Sequence, residues 1–409
     1  MMGRVLLARR TPVEWAVRVV LVTVAALLGY FSLTHSMALA VRNGAQARGH
    51  QLAPQDGRIT AAAAAKELAD HSASPTQGAA RQLALKALRQ DATAVKAVIT
   101  LGLQAQSRND TAQARRLFAY AQRLSRRELQ TQLWLIVDEA SRNNVPGALH
   151  QYDIALRTSK SAPDVLFPTL ASAIADPAVR TSTVATLARK PIWGAPFIVF
   201  VANSGDNPLA VADLLLRTAR RGVRVPDEPS AVIINRLIHA DAADAAWRYY
   251  TAIRPGAKRE VSRDPNFAAV FERPTAFDWT AVNENNISAS LQSSPEGGAL
   301  TFSVAPGAGG VLVQQTQMLP SGTYRLHGKG SEIEQPQQSL PYWVLNCRNG
   351  AELGRVAVPN SADKGGVFTG QFTVPPNCPV QTLALIARPS DEITGLSGQI
   401  VQARLEPIK

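Results

Sequence analysis

Cys347 and Cys378 are the only cysteines in a chain of 409 residues, and both stand in strand-like stretches, Y-W-V-L-N-C-R and V-P-P-N-C-P-V. Two thiols without a nearby histidine pair make a poor zinc site, and their separation is not the C-x-x-C spacing of redox motifs. The chemistry that fits is a structural Cys347–Cys378 disulfide, with two free buried thiols as the alternative. Disulfides persist in oxidising compartments such as the bacterial periplasm and are rare in the cytosol. Closing a loop of this size would contribute about 3–4 kcal/mol, less any strain.

Motifs for a reaction are missing. The six histidines (His35, His50, His71, His150, His239, His327) form neither H-x-x-x-H nor H-E-x-x-H, so no metal site is expected. The chain has no G-x-S-x-G and no phosphate-cradling G-x-x-x-x-G-K, and Gly307-Ala308-Gly309-Gly310 reads as a hairpin turn. Ser361-x-x-Lys364 has the spacing of an acylating Ser-Lys pair but precedes two glycines in a loop instead of opening a helix. Carboxylate pairs such as Asp391-Glu392 lie in turns. No catalytic residue and no cofactor are expected, and an unrecognised hydrolase or transferase is the third-ranked alternative.

Two groups of residues could bind. Arg115, Arg116, Arg123, Arg126 and Arg127 crowd one helix and its exit around Tyr120. They could meet an anionic glycan, a lipid headgroup or an acidic partner, or simply form a solvated face. Near the C-terminus Tyr342 and Trp279 could offer flat rings to sugars, with Arg325, Asn346 and Arg348 supplying hydrogen bonds to hydroxyls. Trp343 and Tyr324 read as core rings.

The elements that position these residues begin with the N-terminus. Residues 1–18 carry Arg4, Arg9, Arg10 and Arg18 against Glu14, and Val19–Val41 runs without a formal charge if His35 is neutral. Twenty-three helical residues span about 34 Å, enough for a hydrocarbon core of about 30 Å. The basic flank favours a cytoplasmic N-terminus. A single-pass signal anchor in the bacterial inner membrane is therefore expected, with cleavage after Ala40 as the rival reading. Either way the bulk is exported and nucleic acid is disfavoured. Net charge is +12, and its distribution is uneven: residues 1–270 hold 34 basic and 20 acidic side chains, while the remainder holds 9 and 11. The two parts would then differ in origin, with any anionic partner meeting the first.

Residues 42–75 read as a tether and an alanine-rich lead helix broken at Ser72-Ala73-Ser74-Pro75. Beyond it a stripe repeats: Ala80, Ala84 and Ala87, then Ala114, Phe118 and Ala121, then Ala148, Tyr152 and Ala155, each set thirty-four residues after the last. The i, i+4, i+7 spacing marks one face of a helix, and recurrence at a fixed period marks stacked helical hairpins. With Leu101-Gly102 ahead of the second stripe, and Leu133, Trp134 and Leu135 ahead of the third, the pattern resembles the tetratricopeptide repeat over about 77–162. Ile136 stands where the family has glycine. Helical patterning extends the all-α domain over 76–254.

After a 255–274 linker the period changes to two. Eight short strands from Ala299 to Leu405 predict an all-β sandwich over 275–409. Alternation puts Trp343, Leu345 and Cys347 on the core face and Tyr342, Val344 and Asn346 on the other. Phe277–Trp279, Leu319–Leu326 and the W-V-L-N-C strand resemble jelly-roll, galactose-binding-like modules, which implies a surface able to hold a carbohydrate. The expectation is thus a membrane-anchored helical-repeat domain followed by a jelly roll. Its leading role is a non-enzymatic scaffold holding envelope proteins, preferentially for exopolysaccharide synthesis or export, and the alternative is a carbohydrate-binding protein whose sandwich meets the polysaccharide.

Overall fold

The computed structural model describes residues 12–41, 44–70, 77–269, 271–284, 286–294 and 297–408. Arg4, Arg9, Arg10, Arg42 and the Ser72–Pro75 break lie outside the described residues. The chain divides into two compact units, 1–163 and 164–409.

The first unit is helical. α1 (Pro12–Val41) is followed by α2 (Gln46–Leu52), α3 (Gly57–Asp70), α4 (Gln77–Gln90), α5 (Val95–Ser107), α6 (Thr111–Leu124), α7 (Leu129–Ser141) and α8 (Val145–Thr158). α1 is long and apolar enough to cross a membrane, by length and composition, and it begins seven residues before the charge-free run because Pro12 suits a first helical turn. The stretch read as a tether is itself partly helical, through α2.

Helix starts recur at the sequence period: α4, α6 and α8 begin at residues 77, 111 and 145, and α5 and α7 at 95 and 129. The repeating alanines and the ring at the middle site are all buried. Phe118 packs against Gly102, where a Cβ would lie 2.8 Å from the ring, and stacks on Trp134 with centroids 4.3 Å apart. The turns repeat as well. Asn109 and Asn143 take left-handed φ values of 60° and 56°, a region that asparagine tolerates better than most residues. Asp110 and Asn144 then cap α6 and α8 through the Gln113 and Gly147 amides. Each cap satisfies a helix N–H that would otherwise lack a partner.

α9 (Ala162–Ala173) spans the division between units. The second unit continues with α10 (Pro177–Leu187), α11 (Gly194–Ser204), α12 (Pro208–Arg220), α13 (Asp227–His239) and α14 (Ala243–Ile253), then the sandwich. All eight strands expected from the sequence form: β3 (Gly297–Val304), β4 (Gly310–Gln317), β5 (Gly322–Ser331), β6 (Tyr342–Cys347), β7 (Glu352–Ala357), β8 (Val367–Val374), β9 (Gln381–Ala387) and β10 (Leu396–Pro407). Two more precede them, β1 (Thr280–Ala281) and β2 (Ile287–Ser294). β2 reads I-S-A-S-L-Q-S-S; its serines resemble a loop, yet Ile287, Ala289 and Leu291 alternate toward the core. The strands form two five-stranded antiparallel sheets, β1-β4-β9-β6-β7 (sheet A) and β2-β3-β10-β5-β8 (sheet B). Their facing sides share one apolar core that includes Trp343, Leu383, Phe302 and Phe372.

Residues 255–274 are not a free linker. Ser262 donates its amide to Leu405, and Ala403 donates to Pro265, so the segment continues the pairing of β10 beyond the end of β3. Arg263 is thereby buried, with Nε on the Phe277 carbonyl (3.0 Å), Nη1 on Gln317 Oε1 (2.8 Å) and Nη2 on the Thr316 carbonyl. Asp278 accepts from the Tyr250 hydroxyl of α14 at 2.8 Å and from the Thr275 amide and hydroxyl. Trp247 of α14 meets Phe277 edge-on at 5.3 Å. Every charged atom here finds a partner, which is the condition for burying charge without a large penalty. Burial still pulls Arg263 down to about 10 and raises Tyr250, whose proton is further held by Asp278. The last helix and the sandwich are consequently one packed body.

Candidate glycan-binding faces of the sandwich

Cys347 and Cys378 are joined, with an S–S distance of 2.05 Å and Cα atoms 5.7 Å apart. Cys347 lies at the inward end of β6 and Cys378 just after β8, both buried in the sandwich core. The cross-link ties the β8–β9 connection to β6 and so fixes one end of sheet A.

The five residues expected to meet a sugar do not come together. Trp279 is 3% exposed, packs on Trp343 with centroids 5.6 Å apart, and donates Nε1–H to the Asp264 carbonyl. Its faces are closed, so it cannot serve as a sugar platform. The sequence suggested otherwise because F-D-W opens the domain, where a ring could equally cap or fill it. Arg348 is bound to Asp241 beside α14 at 2.7 Å. Tyr342 and Asn346 lie on the outer face of sheet A, as alternation predicted, whereas Arg325 lies on the outer face of sheet B.

Tyr342 is the one Phe, Tyr or Trp ring between residues 275 and 408 that is not buried, among the described residues. Its faces are nonetheless occupied. Arg355 of β7 and Arg388 just beyond β9 hold their guanidinium carbons 4.9 Å and 4.7 Å from its centroid. β7 and β9 flank β6 on its two sides, so the ring stands between the two cations, an arrangement its electron-rich faces favour. Arg355 also donates twice to Glu352, at 2.6 and 2.8 Å; that bonding holds Glu352 below the usual carboxylate range and raises Arg355. Apolar stacking of a sugar on Tyr342 is thus excluded in this arrangement, and the chemistry on offer is cationic.

Sheet B presents a different face. Alternation turns Arg325, His327 and Lys329 of β5 outward, with Tyr324 and Leu326 inward. Arg325 stands opposite Glu406 and Gln371, and His327 opposite Arg404 and Thr369. Toward β2 the outward residues are neutral: Gln399 stands opposite Thr301, which stands opposite Ser290. Between Ile400 and Gln402 the register of β10 shifts. A bulge bends its strand and re-aims side chains. The Gln402 carbonyl is driven so close to Gly328 that any Cβ there would collide with it. Beside the bulge a cleft of about 570 Å³ opens, with Asn266, Gln292, Lys329 and Gln402 among its lining. Sequence reading named Arg325 on this face but missed the cleft, since nothing local to Gln402 announces a bulge.

Of the arginines in the first unit, Arg115 is already paired with the buried Asp138 at 2.9 Å, shared with Arg142. Arg123 lies over the Tyr120 ring at 5.7 Å. The Arg126 carbonyl accepts from Thr158 and Gln132, holding the α6–α7 turn. The side chains of Arg116, Arg126 and Arg127 are exposed. Ser361 accepts the Ile333 amide through Oγ at 2.8 Å, and Lys364 sits in a tight turn at φ 50°. Among the described residues no three His, Cys, Asp or Glu side chains are grouped as a metal would require.

No family model matches the chain, and no curated protein matches it. Among solved structures it is similar to the enzymatically active domain of bacteriophage CBA120 tailspike protein 4 (12% identity, TM-score 0.24, 33% of this chain and 20% of that one). It is also similar to a CBM4 structure (14%, 0.26, 36% and 99%) and to the CBM22-1 xylan-binding domain of Paenibacillus barcinonensis Xyn10C (14%, 0.25, 38% and 99%). This chain spans about a fifth of the length of the tailspike chain. Likenesses of this degree do not say what the chain binds.

Proposed function

We propose that the protein is a membrane-anchored, non-enzymatic glycan-binding protein of the bacterial envelope, held by α1 with its N-terminus in the cytoplasm and its bulk in the periplasm. One observation carries the binding assignment: the outer face of sheet B, where serine, threonine and glutamine side chains line up across adjacent strands and the same sheet carries the cleft at Gln402. The amides of Asn266, Gln292 and Gln402 suit sugar hydroxyls, because both partners exchange water hydrogen bonds without desolvating a full charge, and Lys329 at the same cleft adds a donor. Calorimetric titration of the full-length protein in detergent micelles with soluble polysaccharides should give a binding heat that Gln402→Ala or Gln292→Ala lowers. A panel of neutral and acidic polymers giving no heat would end the glycan reading.

The helical stack favours a second role. Its period-34 hairpins fit the tetratricopeptide pattern, and stacked hairpins build extended surfaces suited to other proteins. In this reading the stack is a scaffold for an envelope assembly, with exopolysaccharide synthesis or export as the setting, and the sandwich engages the polymer. Crosslinking from Arg116→Cys and Arg127→Cys variants in intact cells should trap envelope proteins; absence of any adduct would leave the stack without this role. A C-terminal reporter active only in the cytoplasm would overturn the orientation.

A further inference from the structure

The outer face of sheet A carries a cationic group of its own, separate from the sheet B cleft and its Lys329. Tyr342 holds a guanidinium on each side, and the two differ in what neutralises them. Arg355 is spent on Glu352 through two short hydrogen bonds. Arg388 donates Nη1 to the Gln338 carbonyl at 3.3 Å and rests on the ring, and it pairs with no carboxylate among the described residues. Guanidinium is a planar fork that matches a carboxylate in two parallel bonds. Along β6 from Tyr342 stands Asn346, four residues or about 13 Å away at the strand rise, opposite Thr382 of β9. A charged anchor at one end and an amide and hydroxyl at the other describe a ligand with carboxylates and hydroxyls in sequence.

We propose that the outer face of sheet A is a binding site for a carboxylate-bearing polysaccharide, with Arg388 as the anchor, Tyr342 as its support and Arg355 as a second cation held in check by Glu352. The site is distinct from the sheet B cleft; it rests on the glycan reading for its choice of polymer, and on the Arg388–Tyr342–Arg355 geometry for its charge. Glu352 makes the arrangement tunable, since the bidentate bond that fixes Arg355 also cancels its charge.

The test is titration of the full-length protein in micelles with polygalacturonate, with dextran as the neutral polymer and poly-glutamate as the acidic peptide. Polygalacturonate should bind, and should bind less tightly as salt rises because the contact is ionic and exposed. Arg388→Gln should weaken it about tenfold, the effect of losing one charge-assisted pair. Arg355→Gln should weaken it less, and Glu352→Gln should strengthen it, a gain that mere loss of folding cannot produce. Polygalacturonate binding indifferent to both Arg388→Gln and Glu352→Gln would overturn the proposal even if dextran binds. Tighter binding of poly-glutamate than of polygalacturonate would overturn it in favour of an acidic protein partner. If polygalacturonate fails to bind while dextran binds, this proposal falls and the glycan reading stands; if both fail, the glycan reading falls with it.

Discussion

Phe118 and Arg263 are both buried where two elements must be held together, and their surroundings have little in common. Phe118 sits among alanines, against the bare backbone of Gly102 and flat on Trp134. Nothing directional holds it; close packing and the loss of apolar surface to water suffice. Arg263 sits among Phe277, Thr316 and Gln317, each oriented by a hydrogen bond, with Trp247 beneath its guanidinium at 5.6 Å. The first arrangement can be copied along a chain, because each hairpin needs only small residues and, in the second and third copies, one ring at the middle site. The second can be built once, because four segments of sequence must arrive with the right groups.

That contrast can be broken most forcefully at Arg263. Replacing it with methionine leaves Gln317, the Thr316 carbonyl and Asp278 without a cation, and should destabilise the second unit by about 3–5 kcal/mol. Chemical denaturation would measure the loss, and Arg263→Met with Asp278→Asn should recover part of it if the two are coupled. Amide exchange should report the change in 164–409 and not in 1–163. A uniform change in both would contradict the division into two units.

Phe118→Ala should cost about 3–5 kcal/mol by leaving a cavity between hairpins, with exchange rising in α5 to α7 and the sandwich unaffected. At the same contact Gly102→Ala should cost about 1–3 kcal/mol, since a methyl group 2.8 Å from the ring forces it aside. A neutral Gly102→Ala would mean the stack is looser than its geometry.

The smallest effect is a pH dependence in α14. Tyr249 of α14 is pushed up to about 12 by burial, against a hydrogen bond with Ser230 that lowers it. Its folded value exceeds the unfolded one near 10. The stabilisation is therefore complete below pH 10 and lost as pH rises toward 12, where the unfolded chain has released a proton that the folded one keeps. Tyr249→Phe should flatten the decline of stability over that window. An unchanged slope would show that Tyr249 is not the group responsible.

Much of this fold was legible because its signals are local. A stripe at i, i+4, i+7 needs only one helix to be buried, and alternation in Y-W-V-L-N-C fixed which face of β6 turns inward. The repeating Arg-Asn-Asp and Arg-Asn-Asn turns before α6 and α8 were equally visible, though the alanine stripe drew attention from them. β2 escaped because its serines outweigh its alternating Ile287, Ala289 and Leu291. The candidate site was legible in residue type and not in place. Trp279 and Tyr342 are both rings in strand-like sequence, and nothing nearby distinguishes the one enclosed by Trp343 from the one between two arginines.

What the sequence determined alone follows from short-range periodicity and from scarcity: a 3.6-residue stripe every thirty-four residues, a two-residue alternation after residue 277, and two cysteines with no other partner. What the tertiary structure decided depends on register between strands far apart in the chain. Register placed Arg325 and Tyr342 on opposite sheets, brought Arg355 and Arg388 to either side of one ring, and drew residues 255–274 against β10. A side chain's face is set by its own strand, but its neighbours are set by strands that pair with it, and pairing partners leave no mark at the position they will occupy.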